Sequence, residues 1–251
     1  ASRVDSAAHR RRPAGGRLAV SQATVVTRLA VRELWITFRL LALLAGFIGV
    51  GALVALLPAP LPTVMERLAL GLGAASILAG ALAAWSFSDE RARGRAAWLV
   101  TRSVSRGTLL GGWFAALASL CVAGTAVAGL LGWLTASAVS LRLDPGAFAA
   151  LLLGVAATAL VATALGLLTG TVLRGPLAIG VTVAIGAGLG ALAWLVPGVG
   201  ELVPGSAMAG LAALREGAGA QVAGLRAAGA ALVATALLLV VARVLLERAE
   251  L

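Results

Sequence analysis

The sequence predicts an all-α membrane protein with six transmembrane helices, and three observations lead there. Of its 251 residues, 61% are hydrophobic and only 12% charged, with a mean hydropathy of +1.02, too few polar groups to cover a soluble surface. Six apolar stretches approach the ~20 residues that a bilayer-crossing helix requires. The charges that remain are gathered in the connections between those stretches.

The elements follow in chain order. Residues 1–17, with Arg10-Arg11-Arg12 and Gly15-Gly16, are expected to form a mobile cytoplasmic arm. No cleavable signal peptide is expected after it, because the next apolar run is delayed and too long. From 18 to 39, Ser21, Thr24, Arg28 and Arg32 recur at three- and four-residue spacing, while Val25, Leu29, Trp35 and Ile36 fall on other faces. That pattern fits an elbow helix lying in the membrane interface, with Arg28, Arg32 and Trp35 at the headgroups. A cytoplasmic extension of the first span fits it as well.

The six spans are placed at about 40–57, 68–87, 109–135, 147–173, 177–195 and 223–246. Pro58, Pro60 and Pro62 stop the first. Arg142 to Gly146 makes the turn before the fourth, and Arg174-Gly175-Pro176 the tight turn before the fifth. Residues 197–222 are rich in glycine, and Ser206 is a plausible N-cap there. They predict a short helix that starts after Ser206, ends near Gly217 and presses into the membrane or the protein rim before the last span. Gly166/Gly170 and Gly186/Gly190 read as close helix packing. The hydroxyls of Thr125, Thr158, Thr163, Thr169 and Thr182 are expected to bond to their own helix backbone. Trp85, Trp133 and Trp194, near span ends, read as interfacial anchors.

All 20 basic residues are arginine. Sixteen lie before residue 40, within 88–107, at 174 and at the C-terminal end. Arg67, Arg142, Arg215 and Arg226, on the other side, are matched by Glu66, Asp144, Glu201 and Glu216. The positive-inside rule then puts both termini in the cytoplasm, in keeping with an even number of spans. The net charge of +10 is explained by topology and anionic headgroups, so nucleic acid is not expected as a partner.

Composition also excludes chemistries. Without lysine there is no phosphate-binding loop and no Schiff-base site. His9 is the only histidine and Cys121 the only cysteine, so neither a metal cluster nor an internal disulfide is expected, and Cys121 reads as a small core or lipid-facing residue. No carboxylate lies clearly within a span to couple protons or sodium. No base is at hand to activate an intramembrane serine. What remains is a protein that uses energy supplied elsewhere.

The connection at 88–107, SDERARGRAAWLVTRSVSRG, holds five arginines and two acids. Drawn as one helix at 100° per residue, it places Arg91, Arg95, Trp98 and Arg102 on a single face. By charge alone this is either a solvated positive-inside loop or a docking helix. Glu90, Gly94, Leu99, Val104-Ser105-Arg106 and Gly112 stand at the spacing of a motif, with Arg95, Ser103 and Trp113 in place of its Thr, Pro and Lys. In these residues, and in the elbow and six spans around them, the chain resembles the type-2 ABC transporter permeases. The resemblance implies that 197–222 is a partly re-entrant outer segment before the last span, and that 88–107 is a coupling helix contacting an ATPase through Glu90, Arg91, Gly94, Arg95, Trp98, Arg102, Ser105 and Arg106.

It further implies a non-enzymatic membrane subunit without cofactors of its own, ATP and magnesium belonging to a P-loop ATPase partner. A second copy or homologous membrane subunit would complete the path through a bacterial plasma membrane. An apolar path with scattered hydroxyls favours export of a lipid-like or amphiphilic substrate. A non-transporting scaffold or sensor, or an ATP-independent channel, are the alternatives.

Overall fold

A computed structural model describes residues 15–56, 61–94, 96, 104–138, 144–195 and 217–248. Among the described residues there are seven helices: α1 (Gly15–Ile36), α2 (Arg39–Leu56), α3 (Leu61–Ala92), α4 (Arg106–Ala138), α5 (Pro145–Val172), α6 (Pro176–Leu195) and α7 (Gly217–Arg248). Four contain segments long and apolar enough to cross a membrane: Val64–Ala92, Arg106–Thr135, Pro145–Val172 and Gln221–Arg248. The pair Gln22–Ile36 and Arg39–Leu53 is apolar enough together but bent by 78°, and Pro176–Leu189 in α6 is a shorter apolar segment. The protein is an all-α membrane protein. The expected outer segment at 197–222 lies outside the described residues as far as 216.

Local chemistry sets the helix boundaries. The last regular bond of α1 runs from Thr37 N–H to the Glu33 carbonyl at 3.0 Å, and Phe38 then adopts φ 57°. This left-handed residue turns the chain, and α2 restarts with Ala42 N–H donating to the Phe38 carbonyl at 3.0 Å. The helix expected at 18–39 therefore ends at Ile36, and Arg39, expected in it, opens α2 instead. α5 starts with Asp144 as N-cap, its carboxylate accepting from Gly146 N–H at 2.9 Å, and Pro145 in the first turn. It ends where Leu173 goes extended, and Gly175 (φ 54°) delivers the chain to α6.

α5 is the most enclosed of the four spanning segments and α7 the least. α5 packs chiefly on α7 and α3, whereas α4 holds α1 and α2. Small residues bring these backbones together: a Cβ on Gly166 would run into the Gly80 carbonyl oxygen, and one on Gly80 would stand 2.6 Å from the Ala162 carbonyl oxygen. Gly170 meets the Ala84 carbonyl in the same way at 2.9 Å, and Gly224 on α7 meets Ala150 at 2.6 Å. In lipid no solvent drives helices together, so van der Waals contact at such crossings supplies the association. The core that results includes Phe47, Leu72, Phe87, Leu117 and Leu151.

Thr158, Thr163, Thr169 and Thr182 donate to carbonyls three or four residues back, as expected. Thr125 is the exception, its buried hydroxyl having no partner among the described residues. Cys121 is buried and lies 3.6 Å from the Thr163 hydroxyl. Trp133 packs on Phe148 with ring centroids 5.3 Å apart; the side chain of Trp194 is outside the described set.

Candidate functional site

The charged segment between α3 and α4 begins as helix. Asp89, Glu90 and Arg91 belong to the last turn of α3, where Arg93 N–H and Gly94 N–H bond back to the carbonyls of Asp89 and Arg91 at 3.0 Å. Gly94 has φ 71°, the left-handed closure that glycine gives to a helix C terminus. The expected single helix through the segment is therefore corrected at Gly94, where α3 closes. Arg91 belongs to α3, and the chain turns at Gly94 before reaching Arg95. Arg95, Trp98 and Arg102 lie outside the described residues.

Arg91 reaches across the bundle. Its Nη1 donates to the Gly170 carbonyl at 3.0 Å and also to that of Thr171, both in the last turn of α5. Carbonyls there have no intrahelical donor and carry the negative end of the helix dipole, so a guanidinium suits them on both counts. Arg106 does the same for α7, its Nη1 donating to the Leu246 and Glu247 carbonyls at 2.8 and 2.7 Å. Two arginines from either end of one connection thus cap the C termini of the two helices that pack together most extensively.

A third anchor ties the segment to α1 and α2. Arg39, buried at the start of α2, donates through Nη2 to Asp89 Oδ2 at 3.0 Å, and its guanidinium lies 4.3 Å from the centroid of Trp85. Asp89 also accepts from Arg93 Nε at 3.1 Å, and Arg93 stands 3.8 Å from Glu33 of α1. Trp85, read as a lipid anchor, is therefore also the platform under a buried cation.

Ser105 is the N-cap of α4, its hydroxyl accepting from Thr108 N–H at 3.0 Å. Glu90 is buried. Gly112 sits where α1 crosses α4, a Cβ there coming within 2.5 Å of Val26 Cγ1. On α1, Arg28, Arg32 and Trp35 are exposed.

Sequence reasoning found the segment but missed Arg39, Asp89, Arg93 and Glu33 as a cluster. A charge on the first residue of an apolar run was the available signal for Arg39; its partner fifty positions away carried none. Among the described residues no group of three or more His, Cys, Asp or Glu could hold a metal ion. No protein-family model matches the chain, and no curated protein matches it.

Proposed function

We propose that the protein is the membrane-spanning permease subunit of an ATP-binding-cassette transporter, driven by a separate ATPase that docks on residues 88–107. The observation that carries this reading is the direct bonding of that segment to other helices. Arg91 holds the end of α5, Arg106 the end of α7, and Asp89 the start of α2. A displacement of the segment would therefore be felt at three helices at once, which is what an external ATPase needs from a membrane partner. The resemblance of Glu90, Gly94 and Val104-Ser105-Arg106 to the type-2 permease motif supplies the identity of that partner.

In this reading α1 is the elbow, and α2 to α7 are the six spans, with α6 the shortest after α2. Both termini and the charged segment lie in the cytoplasm, as the arginine distribution favours. Two membrane subunits enclose a path, and ATP-driven closure of the partner rocks the spans to open it alternately. The inward threonines bond their own backbones, leaving a weakly polar interior that favours export of an amphiphilic or lipid-like substrate.

Affinity purification of the tagged chain in mild detergent is the test. A stoichiometric P-loop ATPase, lost in Arg95→Glu/Arg102→Glu while membrane insertion is unchanged, is the expected result. Purification of the intact chain without an ATPase would overturn the reading in favour of a scaffold or channel.

A further inference from the structure

The side of α1 turned away from the bundle has an unusual combination of residues. Val26, Ala30 and Leu34 are buried against the protein. On the far side, Val25, Leu29, Arg32 and Ile36 fall within one narrow arc at 100° per residue, with Arg28 and Trp35 beside it. All six are exposed, Trp35 at 59%, and Phe38 follows at 70%.

The two arginines there differ from most described arginines at this end of the bundle. Arg39, Arg91, Arg93, Arg106 and Arg243 each bond a carboxylate or a helix-end carbonyl. Arg28 and Arg32 have no ion pair or hydrogen bond from their side chains among the described residues. Arg174, in the turn between α5 and α6, and Arg248, at the end of α7, share that condition but stand singly, whereas Arg28 and Arg32 are paired one helical turn apart. The only acid of α1, Glu33, stands toward Arg93 at 3.8 Å, so nothing negative on this helix offsets the pair.

Water is a poor solvent for four large apolar side chains on one helix side, with Phe38 exposed just beyond its end. The bilayer centre is a poor one for two unpaired guanidiniums. The boundary between headgroups and acyl chains suits both sets, and the 78° bend from α2 lets α1 lie along that boundary while α2 enters the bilayer. Both uncompensated charges are positive, and guanidinium pairs with phosphate oxygens in a bidentate fork.

We propose that this side of α1 is a binding surface selective for anionic phospholipid headgroups, with Arg28 and Arg32 holding the phosphate and Val25, Leu29, Trp35 and Ile36 set among the adjoining acyl chains. It rests on the membrane-protein fold and not on the ATPase reading. Through Glu33, Arg93 and Asp89 the surface is continuous with the charged segment, so a bound lipid sits one ion pair from the proposed docking site.

Native mass spectrometry of the full chain, delipidated in mild detergent and given equal parts of phosphatidylglycerol and phosphatidylcholine with matched acyl chains, tests this. The wild type is expected to retain phosphatidylglycerol preferentially. Arg28→Gln/Arg32→Gln should lower that preference about tenfold, Arg28→Lys/Arg32→Lys should keep most of it, and Arg248→Gln should leave it unchanged. Circular dichroism and elution volume matching the wild type establish that the variants are folded, as expected for exposed positions. Equal retention of the two lipids by the wild type, or an unchanged preference in the glutamine variant, would overturn the proposal. Neither ATP nor a partner enters the measurement, so its failure is separable from failure of the co-purification.

Discussion

Arg39 and Asp89, fifty residues apart, meet at 3.0 Å and fasten the first residue of α2 to the last turn of α3. The arginine side chain is 8% exposed and the aspartate 21%, so the pair is sheltered enough for its removal to be felt. Its two halves are not equivalent. Asp89 retains Arg93 if Arg39 is lost, whereas Arg39 retains only the ring of Trp85 if Asp89 is lost.

Asp89→Asn should therefore destabilise the protein more than Arg39→Gln does. Removing one partner of a buried pair costs about 3–5 kcal/mol; the asparagine variant should approach that range and the glutamine variant fall to about half of it. Thermal unfolding of the purified chain in detergent, followed by tryptophan fluorescence, reads the order. Equal shifts in the two variants would show that Arg93 contributes nothing to holding Asp89.

Arg91→Gln should loosen the end of α5 without unfolding the bundle. Hydrogen bonds involving a charged group contribute about 1.5–3 kcal/mol, and two carbonyls lose their donor at once. Hydrogen exchange should accelerate over residues 168–175 while the middle of α5 stays protected. Arg91→Lys should recover part of the protection, since an ammonium keeps the charge but not the fork.

Arg106→Gln, combined with Arg91→Gln, separates docking from transmission. The double variant should co-purify the proposed ATPase at the wild-type level yet lose most substrate transport, because the segment is released from α5 and α7. Retained transport would show that the two arginine caps are fastenings only.

Gly166→Val and Gly180→Val should behave in opposite ways although both lie in apolar helices. At Gly166 the new side chain meets the Gly80 carbonyl, a backbone atom that cannot swing aside; at Gly180 a Cβ finds nothing within 4 Å. Overpacking at a fixed contact costs about 1–3 kcal/mol or more, so the yield of monodisperse protein should collapse for the first and hold for the second.

Hydropathy made the apolar helices legible, because in a bilayer the length of an uninterrupted apolar run is itself the structural constraint. The packing role of Gly166 and Gly170 was legible for a related reason, small residues at four-residue spacing being the means by which helices in lipid approach. The charged segment was harder. Gly94 carries the signal for a helix end, a glycine after a charged last turn, although it also stands within a family-like motif. Arg91 could not be assigned to the end of α5 because no local pattern relates position 91 to position 170. A guanidinium on a connection looks the same in sequence whether it awaits a partner or already has one, and that distinction decides which arginines remain for docking.

The corner at Phe38 bears on how the protein is made. Its left-handed backbone sets the direction of α2 from bonds within residues 33–42, all of which leave the ribosome together. The acid that neutralises Arg39 is translated fifty residues later. The direction of α2 is thus encoded within ten residues of its own start, whereas the charge pair that fastens it to α3 depends on chain made fifty residues later.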